Sequence, residues 1–212
     1  MIGLRLPEQE LLVLCLGAHP DDIEIGCGGS LLTIAKARAV RVKGLVVTGQ
    51  GVRRQEALGA LSRFCPGADV EVAVHGLPDG RLPAYWHEVK QILEETVVGF
   101  QPDLIFAPRS DDSHQDHRLL AELVSTVWRD SLVLRYEVPK WDGDLGRVTH
   151  YFDVPSDSAL LKADTLDDCF PSQRSRSWWS ADTFLSIMRL RGIECRRQYA
   201  EGFVVDKAEL VL

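Results

Sequence analysis

His19, Asp21 and Asp22 stand together in the stretch LGAHPDDIEIGCGGSL, directly after the apolar run Leu11 to Leu16. That run reads as a buried strand, so an imidazole and two adjacent carboxylates fall where the strand ends and a turn begins. Charges there are costly to bury unless a cation sits between them. A second group, His114, Asp116 and His117, lies in the stretch PRSDDSHQDH. A hydrolytic zinc site takes about three imidazole or carboxylate ligands and leaves a position open for water. His19 and Asp22 can chelate one ion across the turn that Pro20 begins, and His117 can supply the third ligand. Asp21 then remains beside the open position, where a carboxylate can take a proton from water. His114 is left to donate a proton or stabilise an oxyanion, and Asp116 to orient a neighbouring imidazole. Each group alone has a plainer reading. His-Pro-Asp-Asp can be a solvated turn, and His-Gln-Asp-His can cap a helix with Asp116 near its positive end.

The elements that must position these groups alternate between strand and helix. After the first strand we expect a helix over Gly29–Ala39, a strand over Val42–Val47 and an amphipathic helix over Arg53–Phe64. A strand over Val70–Val74, a helix over Tyr85–Val98, a strand over Leu104–Ala107, a helix over His117–Arg129 and a strand over Leu132–Val138 follow. Beyond Trp141 we expect strands near Tyr151–Val154 and Gly202–Val205, and helices near Asp157–Cys169 and Ala181–Arg191. The loop Pro139–Asp144 reads either as a lid or as a surface connection. This order predicts a parallel sheet covered on both faces. Such sheets bind ligands beyond the carboxyl ends of their strands, at the crevice between the first and fourth strands in the common order. The two loops richest in His and Asp leave those two strands.

Composition narrows the function classes. The 212 residues suit one domain, 1–212, and 45% hydrophobic residues suit a globular one. A net charge of −7 argues against nucleic acid as a partner. No apolar run approaches the ~18 residues of a membrane span, and no signal peptide is apparent. Five cysteines without a CxxC pair predict reduced thiols, a cytoplasmic location and no thiolate zinc site. No GxSxG or phosphate-loop pattern follows a strand, so serine-hydrolase and nucleotide readings are disfavoured. Gly26, Gly28 and Gly29 read as allowing a tight turn and close helix–strand packing. His75, His87 and His150 read as structural or surface residues, and Cys27 as a small packed thiol.

AHPDDIEIGCGGSL followed by HQDH closely resembles the PIG-L / LmbE-like family of zinc-dependent N-acetylglucosaminyl deacetylases. The first motif matches the family's A-H-P-D-D-x-E-x-G-x-G-G almost throughout, and the second departs only at Gln115, where proline is usual. Weaker matches are Arg53 with Glu56, Leu77-Pro78-Asp79-Gly80, Ser172-Gln173 and Tyr199-Ala200-Glu201-Gly202-Phe203. The resemblance implies a Rossmann-like three-layer α/β sandwich with a mostly parallel sheet and the active site at the C-terminal ends of strands one and four. It assigns Zn²⁺ to His19, Asp22 and His117, and so settles which aspartate binds metal, a choice that spacing leaves open. Asp21 becomes the general base, and His114 the residue that stabilises the tetrahedral intermediate or protonates the amine. The implied substrate is a small-molecule N-acetyl amino sugar or its conjugate, with Arg53 and Asp79 placed to hold sugar hydroxyls. Ordinary alternatives for those two are a helix-surface ion pair and a turn. Two other functions stay open: a metal hydrolase of another amide, an ester or a thioglycoside conjugate, and a non-catalytic sugar-binding relative. A homo-oligomer is compatible with the sequence, which names neither the aglycone nor the pathway.

Overall fold

The protein is seen in a computed structural model that describes residue 6 and residues 8–209. Its strands and helices run β1 (Leu11–Gly17), α1 (Asp22–Ala37), β2 (Val40–Thr48), α2 (Gly51–Phe64), β3 (Asp69–Leu77) and α3 (Trp86–Val97). They continue with β4 (Leu104–Pro108), α4 (Gln115–Val127), β5 (Leu132–Tyr136), β6 (His150–Asp153), α5 (Ser156–Cys169), α6 (Ala181–Cys195) and β7 (Ala200–Val204). The strands form one sheet in the order β3-β2-β1-β4-β5-β7-β6. The first five pair in parallel, while β7 runs antiparallel to both β5 and β6. The sheet is therefore mostly parallel, with its order reversing between β1 and β4.

Burial on both faces explains why β1 is a continuous apolar run. Leu11, Val13 and Cys15 join one core with Ile25 and Leu31 of α1, Leu61 of α2, Leu166 of α5 and Phe184 of α6. Leu14 and Leu16 point the other way, into a core with Leu93 of α3 and with Leu120 and Val124 of α4. The result is a three-layer sandwich. Among the described residues, no helix is long and apolar enough to cross a membrane.

The first helix departs from expectation. It starts at Asp22, two turns before the expected Gly29, so the glycines lie within it and form no tight turn. Their use is close packing. A Cβ on Gly26 would stand 2.2 Å from the Tyr136 ring, and one on Gly28 2.7 Å from Phe64. Glycine is a weak helix former, but tertiary contact overrides that preference here. Two further groups support the middle of α1. The Glu201 carboxylate accepts the backbone N–H groups of Gly29 (2.8 Å) and Ser30 (2.7 Å). It also pairs at 2.7 Å with Lys162, whose ammonium donates to the Ile25 carbonyl.

These contacts make the helix glycines unequal. Gly26→Ala should destabilise the fold by about 1–3 kcal/mol, because the Tyr136 ring is held by its own hydroxyl bond to the Leu16 carbonyl (2.7 Å). Gly59→Ala in α2, where an added Cβ meets nothing within 4 Å, should instead stabilise it by about 0.5–1 kcal/mol. Urea unfolding midpoints of the two variants should move in opposite directions.

Candidate active site

The β1–α1 junction gives the two aspartates different partners. Asp21 adopts the left-handed conformation (φ 96°), which Asp tolerates better than most residues. From there α1 begins, and the Asp22 carboxylate reaches back to accept the His19 backbone N–H at 2.7 Å. The same Asp22 Oδ2 lies 3.3 Å from His19 Nδ1 and 3.1 Å from His117 Nε2. His19 Nδ1 and His117 Nε2 are 3.2 Å apart. Three donor atoms thus form a nearly equilateral triangle. Ligands about 2.0–2.1 Å from a tetrahedral ion stand roughly 3.3 Å from one another, so one carboxylate oxygen and two imidazole nitrogens fit such an ion as they stand.

Each of these imidazoles has its far nitrogen held by a carboxylate. Asp112 Oδ2 bonds His117 Nδ1 at 2.9 Å, and Asp116 Oδ2 contacts His19 Nε2 at 3.2 Å. Asp116, fully buried, also accepts the backbone N–H groups of Gly80 (2.7 Å) and Leu82 (3.0 Å). This pattern fixes ring orientation and leaves the near nitrogens free to face a cation. Burial alone would favour neutral His117, but Asp22 and Asp112 outweigh it and raise its pKa to about 9. Burial also opposes the charge on Asp22, yet His117 and His19 hold its carboxyl well below the usual range.

Asp21 has a different partner. Its Oδ2 accepts from the Arg53 guanidinium at 2.9 Å, and Arg53 also donates to the Pro20 carbonyl. Burial pushes the Asp21 carboxyl up to about 7 against the pull of Arg53. His114 is the N-cap of α4, and its Nδ1 accepts the Asp116 backbone N–H at 3.2 Å. An accepting Nδ1 leaves the proton of the neutral ring on Nε2. Burial, with His19 and His117 nearby, lowers the His114 pKa and favours that neutral form.

The structure brings all eight residues of the sequence reading together. His19, Asp21, Asp22, Arg53, Asp79, His114 and His117 line one cleft of about 230 Å³, and Asp116 lies behind it. Asp79 is largely exposed and sets Oδ1 3.1 Å from His19 Nε2. The plain reading of the second group as a helix cap also describes His114, which caps α4 and faces the cleft. Asp112 carries no signal of its own in the sequence, because Asp111 and Asp112 share that loop and nothing in their order says which one meets a ring. Asp111, its neighbour, turns instead to Arg109 at 2.6 Å. The loop Pro139–Asp144 is a wall of the cleft, since Lys140 bonds Asp112 and Asp144 at 3.0 Å each.

Residues 14–128 match the family model described as PIG-L: GlcNAc-PI de-N-acetylase. Over 139 residues the chain is 27% identical to the uncharacterized deacetylase YaiS of Escherichia coli (strain K12), covering 60% of this chain and 74% of that protein. The conserved protein TT1542 from Thermus thermophilus has the same fold, with a TM-score of 0.72 at 23% identity over 95% of this chain and 97% of that one. So does N,N'-diacetylchitobiose deacetylase from Pyrococcus horikoshii, with a TM-score of 0.68 at 20% identity over 93% and 84% of the two chains.

The carboxylates behind the imidazoles generate a prediction that needs no substrate. Asp112→Ala should weaken binding of a divalent ion by about 10–100-fold while leaving the three donor atoms in place. Competition for zinc against a chelating dye measures this directly. An unchanged affinity would show that His117 is oriented without Asp112.

Proposed function

The chain belongs to the PIG-L family of deacetylases, and from that premise we propose that it is a zinc-dependent hydrolase removing the acetyl group from an N-acetylglucosamine-type sugar or its conjugate. The observation that carries the reading is the donor triangle of His19, Asp22 and His117, with Asp21 lining the same cleft and paired with Arg53. These three residues would hold the ion. Zinc bound there supplies a Lewis acid for the acetamide carbonyl and lowers the pKa of water.

The chain's own groups do the rest. Asp21 takes the proton from the attacking water, and Arg53 holds its carboxylate in position through the 2.9 Å bond. The Nε2–H of His114 donates to the carbonyl oxygen as negative charge develops on it. When the C–N bond breaks, the amine takes up the proton that Asp21 removed. Acetate and a free amino sugar result. Arg53 and Asp79, a forked donor and an acceptor on the cleft wall, suit the vicinal hydroxyls of a pyranose. Five free thiols support a reducing, cytoplasmic setting.

Two measurements separate these roles. His117→Ala and Asp22→Ala should lose zinc, whereas Asp21→Asn should keep it and lose roughly 10²–10⁴-fold in rate, the usual share of a general base. Metal analysis beside acetate release checks both; loss of zinc from Asp21→Asn would overturn the division between the aspartates. Arg53→Ala and Asp79→Ala should lower kcat/KM for N-acetylglucosamine more than for an N-acetyl alkylamine, which lacks hydroxyls to hold. Equal losses on both would assign the two residues to support of Asp21 and His19 alone.

A further inference from the structure

The cleft, about 230 Å³, is small beside the ~300–1,000 Å³ of most ligand sites, so a sugar ring bearing a bulky substituent is not enclosed by it whole. Whatever is attached to that ring must cross the rim. One side of the rim is built from Trp141, Trp178 and Arg176, none of which the proposed chemistry uses. Trp141 leaves 64% of its surface exposed, an unusual state for an indole. Trp178 meets it edge-to-face, with ring centroids 6.1 Å apart, and the Arg176 guanidinium lies 5.5 Å from its ring centre.

Arg176 differs from the other cations of the cleft. Arg53 pairs with Asp21, and Lys140 pairs with Asp112 and Asp144. Among the described residues no carboxylate lies within ion-pair distance of Arg176; its Nε donates to the side-chain oxygen of Gln173 at 2.8 Å. The segment that carries it is firmly placed. Both carboxylate oxygens of Glu56 on α2 hold Ser172, at 2.9 Å to its N–H and 2.6 Å to its hydroxyl. The buried Gln173 beside it then holds Arg176. Trp141 is in turn tied to this segment by a 3.3 Å bond from its Nε1 to the Ser177 hydroxyl.

We propose that Trp141, Trp178 and Arg176 form an aglycone subsite, which selects sugar conjugates whose attached group presents a flat aromatic face and an anionic substituent. The subsite rests on the deacetylase reading of the cleft and specifies what lies beyond the sugar. The exposed indole of Trp141 supplies an aromatic surface, and the guanidinium of Arg176, lying over that ring with no carboxylate within ion-pair distance, supplies the charge partner beside it.

Three probes test this with the zinc-loaded protein: N-acetylglucosamine, its phenyl glycoside and its 4-carboxyphenyl glycoside, each glycoside in both anomers. For the favoured anomer, kcat/KM should rise about tenfold from free sugar to phenyl glycoside, and severalfold again with the carboxylate. Arg176→Ala should erase the carboxylate's advantage and keep that of the phenyl ring. Trp141→Ala should lower both glycosides at least fivefold more than the free sugar, and Trp141→Phe should restore most of the difference. A wild type indifferent to the attached group, or an Arg176→Ala that lowers all three probes equally, overturns the subsite. If no probe releases acetate, the deacetylase reading fails separately, and equilibrium binding of the same glycosides decides the subsite. Tighter binding of the carboxyphenyl than of the phenyl glycoside, lost in Arg176→Ala, would sustain it; equal binding would end it.

Discussion

The Asp22 carboxylate closes the first turn of α1 onto the His19 backbone while facing two imidazoles, and most of the site depends on that double use. A carboxylate that is nearly fully buried needs several partners to remain charged. Here a backbone N–H and two ring nitrogens provide them. The same bond sets the helix start at Asp22, and the turn before it holds Asp21 left-handed, so the neighbouring carboxylates diverge. One turn thus separates the carboxylate proposed to hold the metal from the one proposed to take the proton.

The second layer of charge keeps this arrangement from relaxing. Asp112 and Asp116 take the remote nitrogens of the two rings, and each accepts backbone N–H donation as well. Lys140 balances Asp112 from the far loop. A cluster with this many acids is unstable if any member lacks a partner, because the desolvation cost of an unpaired buried charge exceeds that of a lost neutral contact. The neutral His114, with Nδ1 occupied by the α4 backbone, is the ring left with a donor nitrogen to spare.

Helix α1 carries the constellation because it can lie unusually close to its neighbours. Its glycines admit Tyr136 and Phe64, and the Lys162–Glu201 pair bonds its backbone partway along. Two of the weaker sequence matches acquire physical roles in this way. Glu201 supports α1, and Glu56 of α2 holds the segment bearing Gln173 and Arg176. Both are carboxylates serving backbone N–H groups far away in sequence, a use that local pattern does not reveal.

Much of this protein was legible before its structure. Alternating apolar runs and amphipathic segments determined the sheet and its covering helices, because a strand buried on both faces has to be apolar throughout. The placement of His and Asp groups after strands one and four pointed to the cleft where they now meet, because strand order reverses there. Three things were decided only by tertiary contact. The start of α1 depends on a carboxylate turning back on its own chain, and glycines that resemble a turn are helical because other side chains need the space. Which acid orients His117 depends on how the loop after β4 folds over the ring, since Asp111 and Asp112 are adjacent and chemically identical. The rim of the cleft joins Trp141 to Arg176 and Trp178 across two segments distant in sequence. Spacing and residue type report what a chain can do locally, whereas partners brought together by folding leave no periodic trace in it.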